Sequence, residues 1–308
     1  MKQVLYPFRR SFLSFFLMLL FVPQLQSQTY QSFNSAGENI YYRSYGTGEA
    51  IIILSGGPGI SSEQIVDMAE KIGETHQAIL LDQRGTGKSA MENVNANTLN
   101  LELIVEDLEA LRKILKVKKM TLVGHSWGAM YAMLYAKTYP KRIKKMVLVS
   151  TGGVNMSFYD RYRENLLASY TPQELTRLKY LNQLRRAGRA DAKLDREFRT
   201  LEYKARIYDK SQLDAYSQIL YKGKFHDQVL QQLLTEIQDK YDVKNAFADF
   251  DQEVLIIQGK QTPIGEETAL EVLANFSNAR IKWIHECGHF PWIEQPQLFY
   301  EALREFLE

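Results

Sequence analysis

The chain has 308 residues and a formal net charge of +2, with 45% hydrophobic and 24% charged residues. That composition suits a globular protein with a sizeable core, and the charge excludes a strongly basic nucleic-acid binder. A single cysteine, Cys287, excludes an intramolecular disulfide. Residues 1–27 read as an export signal. Lys2, Arg9 and Arg10 form a positive region, residues 12–22 are apolar apart from Ser14, and Pro23 precedes small or polar residues around Ser27 and Gln28. The apolar run covers only about half of a bilayer, which takes ~20 residues of helix. The expectation is cleavage and export to a periplasm or beyond, with no membrane span left afterwards. A retained N-terminal anchor is the alternative.

From Glu38 to Thr151 short β-rich runs alternate with helical patterns. Residues 40–45, 50–55, 78–82, 120–124 and 145–150 predict strands. Residues 100–116 predict a helix, with Leu101, Ile104, Leu108, Leu111 and Leu115 at helical spacing. Such alternation indicates a parallel sheet covered on both faces. Between about 155 and 250 strand-like runs disappear, Pro172 is the only proline, and Gly188 and Gly223 are the only glycines. Several helices broken near those glycines are predicted there. Nine of the eighteen tyrosines fall in this segment, which suits a pocket lining and ordinary helix packing equally. The sheet resumes at 254–258 and 281–285, and 297–306 predicts a closing helix. A helical insertion in one α/β sheet fits better than two successive domains.

Chemistry concentrates in four motifs. Gly124-His125-Ser126-Trp127-Gly128 lies between an apolar strand and a helical run, the context that a G-x-S-x-G nucleophile elbow requires. Glycines flank the serine because side chains there would collide with the neighbouring strand and helix. The turn presents Ser126 at a helix N-terminus, where free N–H groups favour developing negative charge. Ser55-Gly56-Gly57-Pro58-Gly59 follows a strand, and the Gly57 N–H with that of Trp127 could form an oxyanion hole. Asp82-Gln83-Arg84-Gly85-Thr86-Gly87-Lys88-Ser89 ends like a phosphate loop. That motif needs glycine at position 82, however, so nucleotide binding is rejected. A structured loop held by Asp82 and Arg84, through local hydrogen bonds or an ion pair, is expected instead. Cys287-Gly288-His289-Phe290-Pro291-Trp292 lies beyond the last strand. Its position after Ser126 and in a glycine-flanked turn makes His289 the candidate general base. His125 is expected to pack beside the elbow, His285 to lie within a strand, and Cys287 to be a small buried residue.

Taken together and in order, these motifs resemble the α/β-hydrolase superfamily, and in particular its proline iminopeptidase branch. The resemblance covers most of the chain after residue 35. It implies an α/β-hydrolase fold, a mostly parallel twisted sheet flanked by helices, with a helical cap inserted between the sixth and seventh core strands. The core would comprise 35–154 and 251–308, and the cap 155–250. It further implies Ser126 as nucleophile, His289 as base, and Gly57 and Trp127 as oxyanion donors. A family cap often receives a free N-terminal amine on acidic side chains, for which Glu164, Glu174, Glu202 and Asp214 are available. Two positions depart from the pattern. Ser55 stands where the family usually has histidine. Thr262, in Gly259-Lys260-Gln261-Thr262-Pro263, stands where the family carries its catalytic aspartate. Threonine can accept a hydrogen bond from the histidine but supplies no charge for imidazolium, a loss worth on the order of 10⁴-fold in a serine protease. Glu266 or Glu267 could reach back as a substitute acid, although acids in a helix's first turn also favour its dipole.

The leading expectation is an exported serine hydrolase acting on an amide or ester, favouring an N-terminal peptide bond in a small molecule or short peptide. The alternatives are a weakened hydrolase-fold protein kept for ligand binding, and a small-ester carboxylesterase. No metal site, organic cofactor or nucleic-acid partner is expected, and the sequence leaves the oligomeric state open.

Overall fold

The computed structural model describes Met1 and residues 30–308, so the expected export signal lies outside the described residues. In chain order, β1 (Tyr30–Ser35), β2 (Glu38–Tyr45) and β3 (Ala50–Leu54) lead to α1 (Val66–Ile72), β4 (Gln77–Leu81) and α2 (Leu101–Ile114). Then follow β5 (Met120–His125), α3 (Trp127–Thr138) and β6 (Ile143–Val149). Five helices come next: α4 (Tyr159–Ala168), α5 (Pro172–Arg186), α6 (Ala192–Lys204), α7 (Leu213–Leu220) and α8 (Asp227–Lys240). The chain closes with β7 (Glu253–Gly259), α9 (Glu266–Ala274), β8 (Ala279–Ile284), α10 (Pro291–Glu294) and α11 (Pro296–Leu307). Among the described residues no helix is long and apolar enough to cross a membrane.

The eight strands form one sheet in the order β1-β2-β4-β3-β5-β6-β7-β8. The β1–β2 and β2–β4 pairs are antiparallel and every other neighbour pair is parallel. Strand β1 has no counterpart among the predicted elements. It joins β2 through a two-residue turn in which Ala36 and Gly37 both have positive φ, the conformation a tight hairpin needs.

The apolar runs of the central strands follow from burial on both faces. Ile52 and Leu54 of β3 join the cluster under α2 and α3, while Ile51 and Ile53 join the cluster under α1 and α11. Helix α2 begins where Asn100 accepts a hydrogen bond from the Leu103 N–H at 2.9 Å, a cap worth about 1 kcal/mol. Among the inserted helices, α4 buries none of its residues and α5 only Leu181. Helix α8 differs: Val229, Leu233 and Ile237 join the same buried cluster as α2 and β5. Two of the four breaks fall near the glycines, with α5 ending just before Gly188 and α7 just before Gly223; the other two, at 169–171 and 205–212, contain no glycine.

Candidate active site

Strand β3 lies between β4 and β5, so the sheet grows in opposite directions on its two sides. In open α/β sheets such a switch leaves a crevice beyond the carboxyl ends of the strands, and the loops after β3 and β5 meet there. Leu54 of β3 pairs with Gly124 of β5, which sets the Ser55–Gly59 loop beside the Ser126 turn.

Ser126 is the residue between β5 and α3, with φ 53° and ψ −114°. A positive φ is uncommon for a residue bearing a Cβ and is held here by the surroundings. Its N–H donates to the Val149 carbonyl at 2.8 Å, and its carbonyl accepts from the N–H groups of Ala129 and Met130. A Cβ on Gly124 would lie 2.3 Å from the Gly128 carbonyl oxygen, and one on Gly128 only 2.2 Å from that of Leu54. Both glycines are therefore fixed by backbone packing.

Gln83 joins the two loops. Its amide nitrogen donates to the Ser55 carbonyl at 2.9 Å and to Ser55 Oγ at 3.1 Å, and its amide oxygen accepts from the Trp127 indole at 2.9 Å. Ser55, a departure from the family pattern, thus has a defined use. The far end of the loop is held by the insertion: the His226 N–H donates to the Gly59 carbonyl at 2.8 Å, and the Lys224 N–H to Ser61 Oγ at 2.9 Å.

The loop after β4 is structured, but Asp82 and Arg84 do not pair with each other. Asp82 accepts from the Ser62 hydroxyl and, at 2.9 Å, from the Lys88 N–H, with Arg43 3.9 Å away. Arg84 forms a fully buried two-pronged pair with Asp107 of α2 at 2.8 and 2.6 Å and also donates to the Ser35 carbonyl. The expected local hold applies to Asp82, through the Lys88 N–H and Ser89 hydroxyl, whereas Arg84 reaches beyond the loop because guanidinium geometry finds its matching carboxylate on the helix beneath.

His289 is buried, and its Nδ1 lies 3.1 Å from Thr262 Oγ1. Its N–H donates to the Arg206 carbonyl at 2.7 Å, and its carbonyl accepts from His125 Nε2 at 3.0 Å. Because a carbonyl only accepts, His125 carries its proton on Nε2. The two imidazoles lie 4.8 Å apart between centroids, which brings the His289 loop against the residue preceding Ser126. His125 also packs edge-on against Trp292, as expected of a residue beside the elbow. Gly288 permits the close approach of the insertion, since a Cβ there would lie 2.1 Å from the Arg206 carbonyl oxygen. His285 falls one residue beyond β8 rather than within it. Cys287 is a free, fully buried thiol.

The electrostatics of this side are unusual for a general base. Burial, reinforced by His125 and the Arg206 guanidinium, holds the His289 imidazole well below the ordinary histidine range. Burial also pushes His125 down to about 4. Neutral His289 has a lone pair to offer, but among the described residues its ring nitrogen meets a threonine hydroxyl rather than a carboxylate that would balance a charge formed on it. A threonine hydroxyl can also donate to Nδ1, which puts the proton on Nε2 and removes that lone pair. An aspartate accepts only and excludes this arrangement.

Glu266 does not contact His289; it sits exposed in the first turn of α9, 2.8 Å from Lys260 Nζ. Glu267 pairs with Arg161 at 3.2 Å on the surface. Glu294, the buried acid nearest His289 in the chain, is occupied differently. It accepts from the N–H groups of Tyr208 at 2.7 Å, Gly288 at 2.9 Å and Phe290 at 3.0 Å. Of the cap acids, Glu174 serves a capping box with Thr171 and pairs with Lys204, whereas Glu164 and Asp214 are exposed. Glu202 pairs with Arg206 at 3.2 Å and so connects to the His289 wall. Tyr203 packs against Phe290 there, and Tyr162 accepts from Arg206, so some cap tyrosines do border this region. Gln83, Arg206 and Glu294 were not singled out from sequence. Gln83 carried a signal by standing inside the Asp82–Ser89 motif, and Glu294 as an acid closing the apolar run Phe290-Pro291-Trp292-Ile293. Among the described residues no group of three or more His, Cys, Asp or Glu side chains converges as a metal centre would require.

The family profile described as alpha/beta hydrolase fold matches residues 49–296. The chain belongs to the α/β-hydrolase fold family. Within that family, a proline iminopeptidase of Lactobacillus delbrueckii subsp. lactis is 28% identical over 277 residues, covering 83% of this chain and 89% of the relative. A cis-3-alkyl-4-alkyloxetan-2-one decarboxylase of Shewanella oneidensis is 32% identical over 157 residues, covering 51% of this chain and only 43% of the relative. A solved α/β fold family hydrolase from Bacillus anthracis superposes with a TM-score of 0.72 at 18% identity, over 90% of this chain and 99% of that one. The likeness to that structure is one of fold. Family membership and hydrolase relatives together make this chain an α/β-family hydrolase that resembles the proline iminopeptidase branch.

Proposed function

We propose that this hydrolase is an exported serine enzyme cleaving an amide or ester through an acyl-enzyme intermediate, most simply an aminopeptidase of proline iminopeptidase type. The observation carrying this reading is the backbone of Ser126, held at φ 53° where β5 turns into α3. Ser126 Oγ attacks the substrate carbonyl carbon as its proton passes to His289 Nε2. The resulting oxyanion is received by the N–H groups of Gly57 and Trp127, donors each worth ~3 kcal/mol in the transition state. The imidazolium then protonates the leaving amine or alcohol, and water, deprotonated by His289, releases the acyl group. The export signal of residues 1–27 supports a periplasmic or secreted enzyme.

Labelling by a fluorophosphonate probe, abolished in Ser126→Ala, is the expected result. Absence of both labelling and turnover in the unaltered chain sinks the proposal. A panel of prolyl-amides, other aminoacyl-amides and simple esters then distinguishes an iminopeptidase from a carboxylesterase. A second reading, a weakened hydrolase fold used for ligand binding, rests on the Thr262 hydroxyl standing against His289. Saturable binding with near-zero turnover favours it.

A further inference from the structure

Glu294 combines a position and a bonding pattern that the proposed chemistry leaves unused. It ends the four-residue α10, directly after the histidine loop, and its side chain is buried. Its Oε1 accepts from the Phe290 N–H and its Oε2 from the N–H groups of Gly288 and Tyr208. Gly288 and Phe290 are the two neighbours of His289 in the chain, and Tyr208 belongs to the insertion. One carboxylate therefore gathers the peptide units on both sides of His289 and ties them to the insertion.

The remaining polar groups of the His289 backbone are also taken, by Arg206 and His125. With both flanking N–H groups held as well, the backbone at His289 has little freedom, and the ring rests on Thr262. The loop enters through Glu286, which has φ 51°, so its path is not one that a relaxed chain would choose. A carboxylate is the side chain suited to this task because it accepts only and carries about four lone-pair sites. A glutamine of the same shape offers one acceptor oxygen and turns an N–H₂ group towards backbone donors.

We infer that Glu294 is a positioning residue: it fixes the ring of His289 over the site and couples that ring to the insertion through Tyr208. The inference rests on the reading of His289 as general base. Glu294 is not the missing acid, since its oxygens are directed at N–H groups and Thr262 holds the ring nitrogen.

The test compares the unaltered chain with Glu294→Gln and Glu294→Asp. In Glu294→Gln, kcat for an aminoacyl-amide or ester should fall by about 10²-fold with KM changed less than about threefold, the cost of misplacing a base by roughly 1 Å. Glu294→Asp keeps the charge but shortens the reach, and should recover part of that loss. Hydrogen exchange at the Gly288, Phe290 and Tyr208 amides should accelerate together in both variants. The ¹⁵N signals of the His289 ring should shift while those of His76 do not.

These spectroscopic measurements need no substrate, so they read the positioning role even if the unaltered chain neither turns over nor labels at Ser126. That second result would count against the serine-hydrolase reading alone. Unchanged amide exchange and ring signals in both variants overturn the inference. So does a rise in KM at constant kcat, which would make Glu294 a determinant of substrate binding. If Glu294→Gln fails to fold, the exchange and ring signals of Glu294→Asp decide in the same way.

Discussion

Around Ser126 the constraints are backbone constraints: two glycines meet carbonyl groups of Leu54 and Gly128, and the serine takes a positive φ. Around His289 they are side-chain constraints: a threonine hydroxyl, a buried neutral His125, a guanidinium and a carboxylate that serves only N–H groups. On the proposed reading the first region presents the nucleophile, and the second holds the base with a threonine rather than a carboxylate on its ring. Geometry and electrostatics, usually found together in a catalytic site, are here separated between two loops that touch through His125 and His289. On that reading the comparison predicts a weakly activated site.

Restoring the charge should produce the largest change. Thr262→Asp is expected to raise kcat substantially, up to on the order of 10⁴-fold, because removing that charge from a serine protease costs about this much. A carboxylate against Nδ1 also favours imidazolium, so the apparent pKa of the base in a kcat-against-pH profile should move upwards. Steady-state kinetics on one ester across pH 5–9 reads both effects. No gain, with folding intact, would show that the charge on the histidine side does not limit the reaction.

The serine side is probed by Gly128→Ala. The added methyl, 2.2 Å from the Leu54 carbonyl oxygen, cannot be relieved by a rotamer change, so β3 and α3 must separate. A loss of about 3 kcal/mol in urea-derived stability is expected, at the upper end for overpacked sites, together with loss of fluorophosphonate labelling. Unchanged labelling would mean that the elbow is less rigid than its contacts suggest.

A smaller effect tests the junction between the two sides. His125 is neutral in the folded state and titrates near 4 there, against about 6.5 when unfolded. Below pH 6.5 the unfolded chain binds the additional proton, so the His125 contribution is complete above that pH and is lost as the pH falls towards 4. Between pH 6.5 and 5 this amounts to about 2 kcal/mol. Urea midpoints should therefore decline less steeply with acidification in His125→Asn than in the unaltered chain. The buried carboxyls of Asp82 and Glu294, held above their ordinary range, act with the opposite sign in both proteins and cancel from the difference.

The parts legible in the sequence were those governed by local pattern. Strands β2 to β8 follow from short β-rich runs, α2 from its leucine spacing, and the elbow from glycines at fixed offsets around Ser126. The threonine at 262 was legible through the family resemblance, which implies an aspartate three residues beyond the glycine ending β7. What escaped depends on long-range partners. Strand β1 is a mixed run, Tyr-Gln-Ser-Phe-Asn-Ser, joined by an Ala-Gly turn in place of the more recognisable Asn-Gly. Gln83 matters only because β3, β4 and β5 lie side by side, and Arg206 only because the insertion folds back onto Gly288. The partner of Arg84 is Asp107, twenty-three positions away, and no spacing rule points to it.

The smallest expected effect is the sharpest test of the histidine side. Glu266→Ala removes an exposed pair with Lys260, an interaction of a kind worth under about 1 kcal/mol. Its carboxylate accepts from that lysine, while Thr262 occupies the Nδ1 side of His289. Kinetic constants should therefore stay within about twofold and the melting temperature within a degree or two. A hundredfold fall in kcat with stability unchanged would mean that Glu266 swings onto His289 when substrate binds. The two regions would then differ in the resting site only, and activation would arrive with the substrate. Measuring Glu266→Ala in the Thr262→Asp background separates these outcomes: an aspartate at 262 makes a swinging acid redundant, so the fall should disappear there.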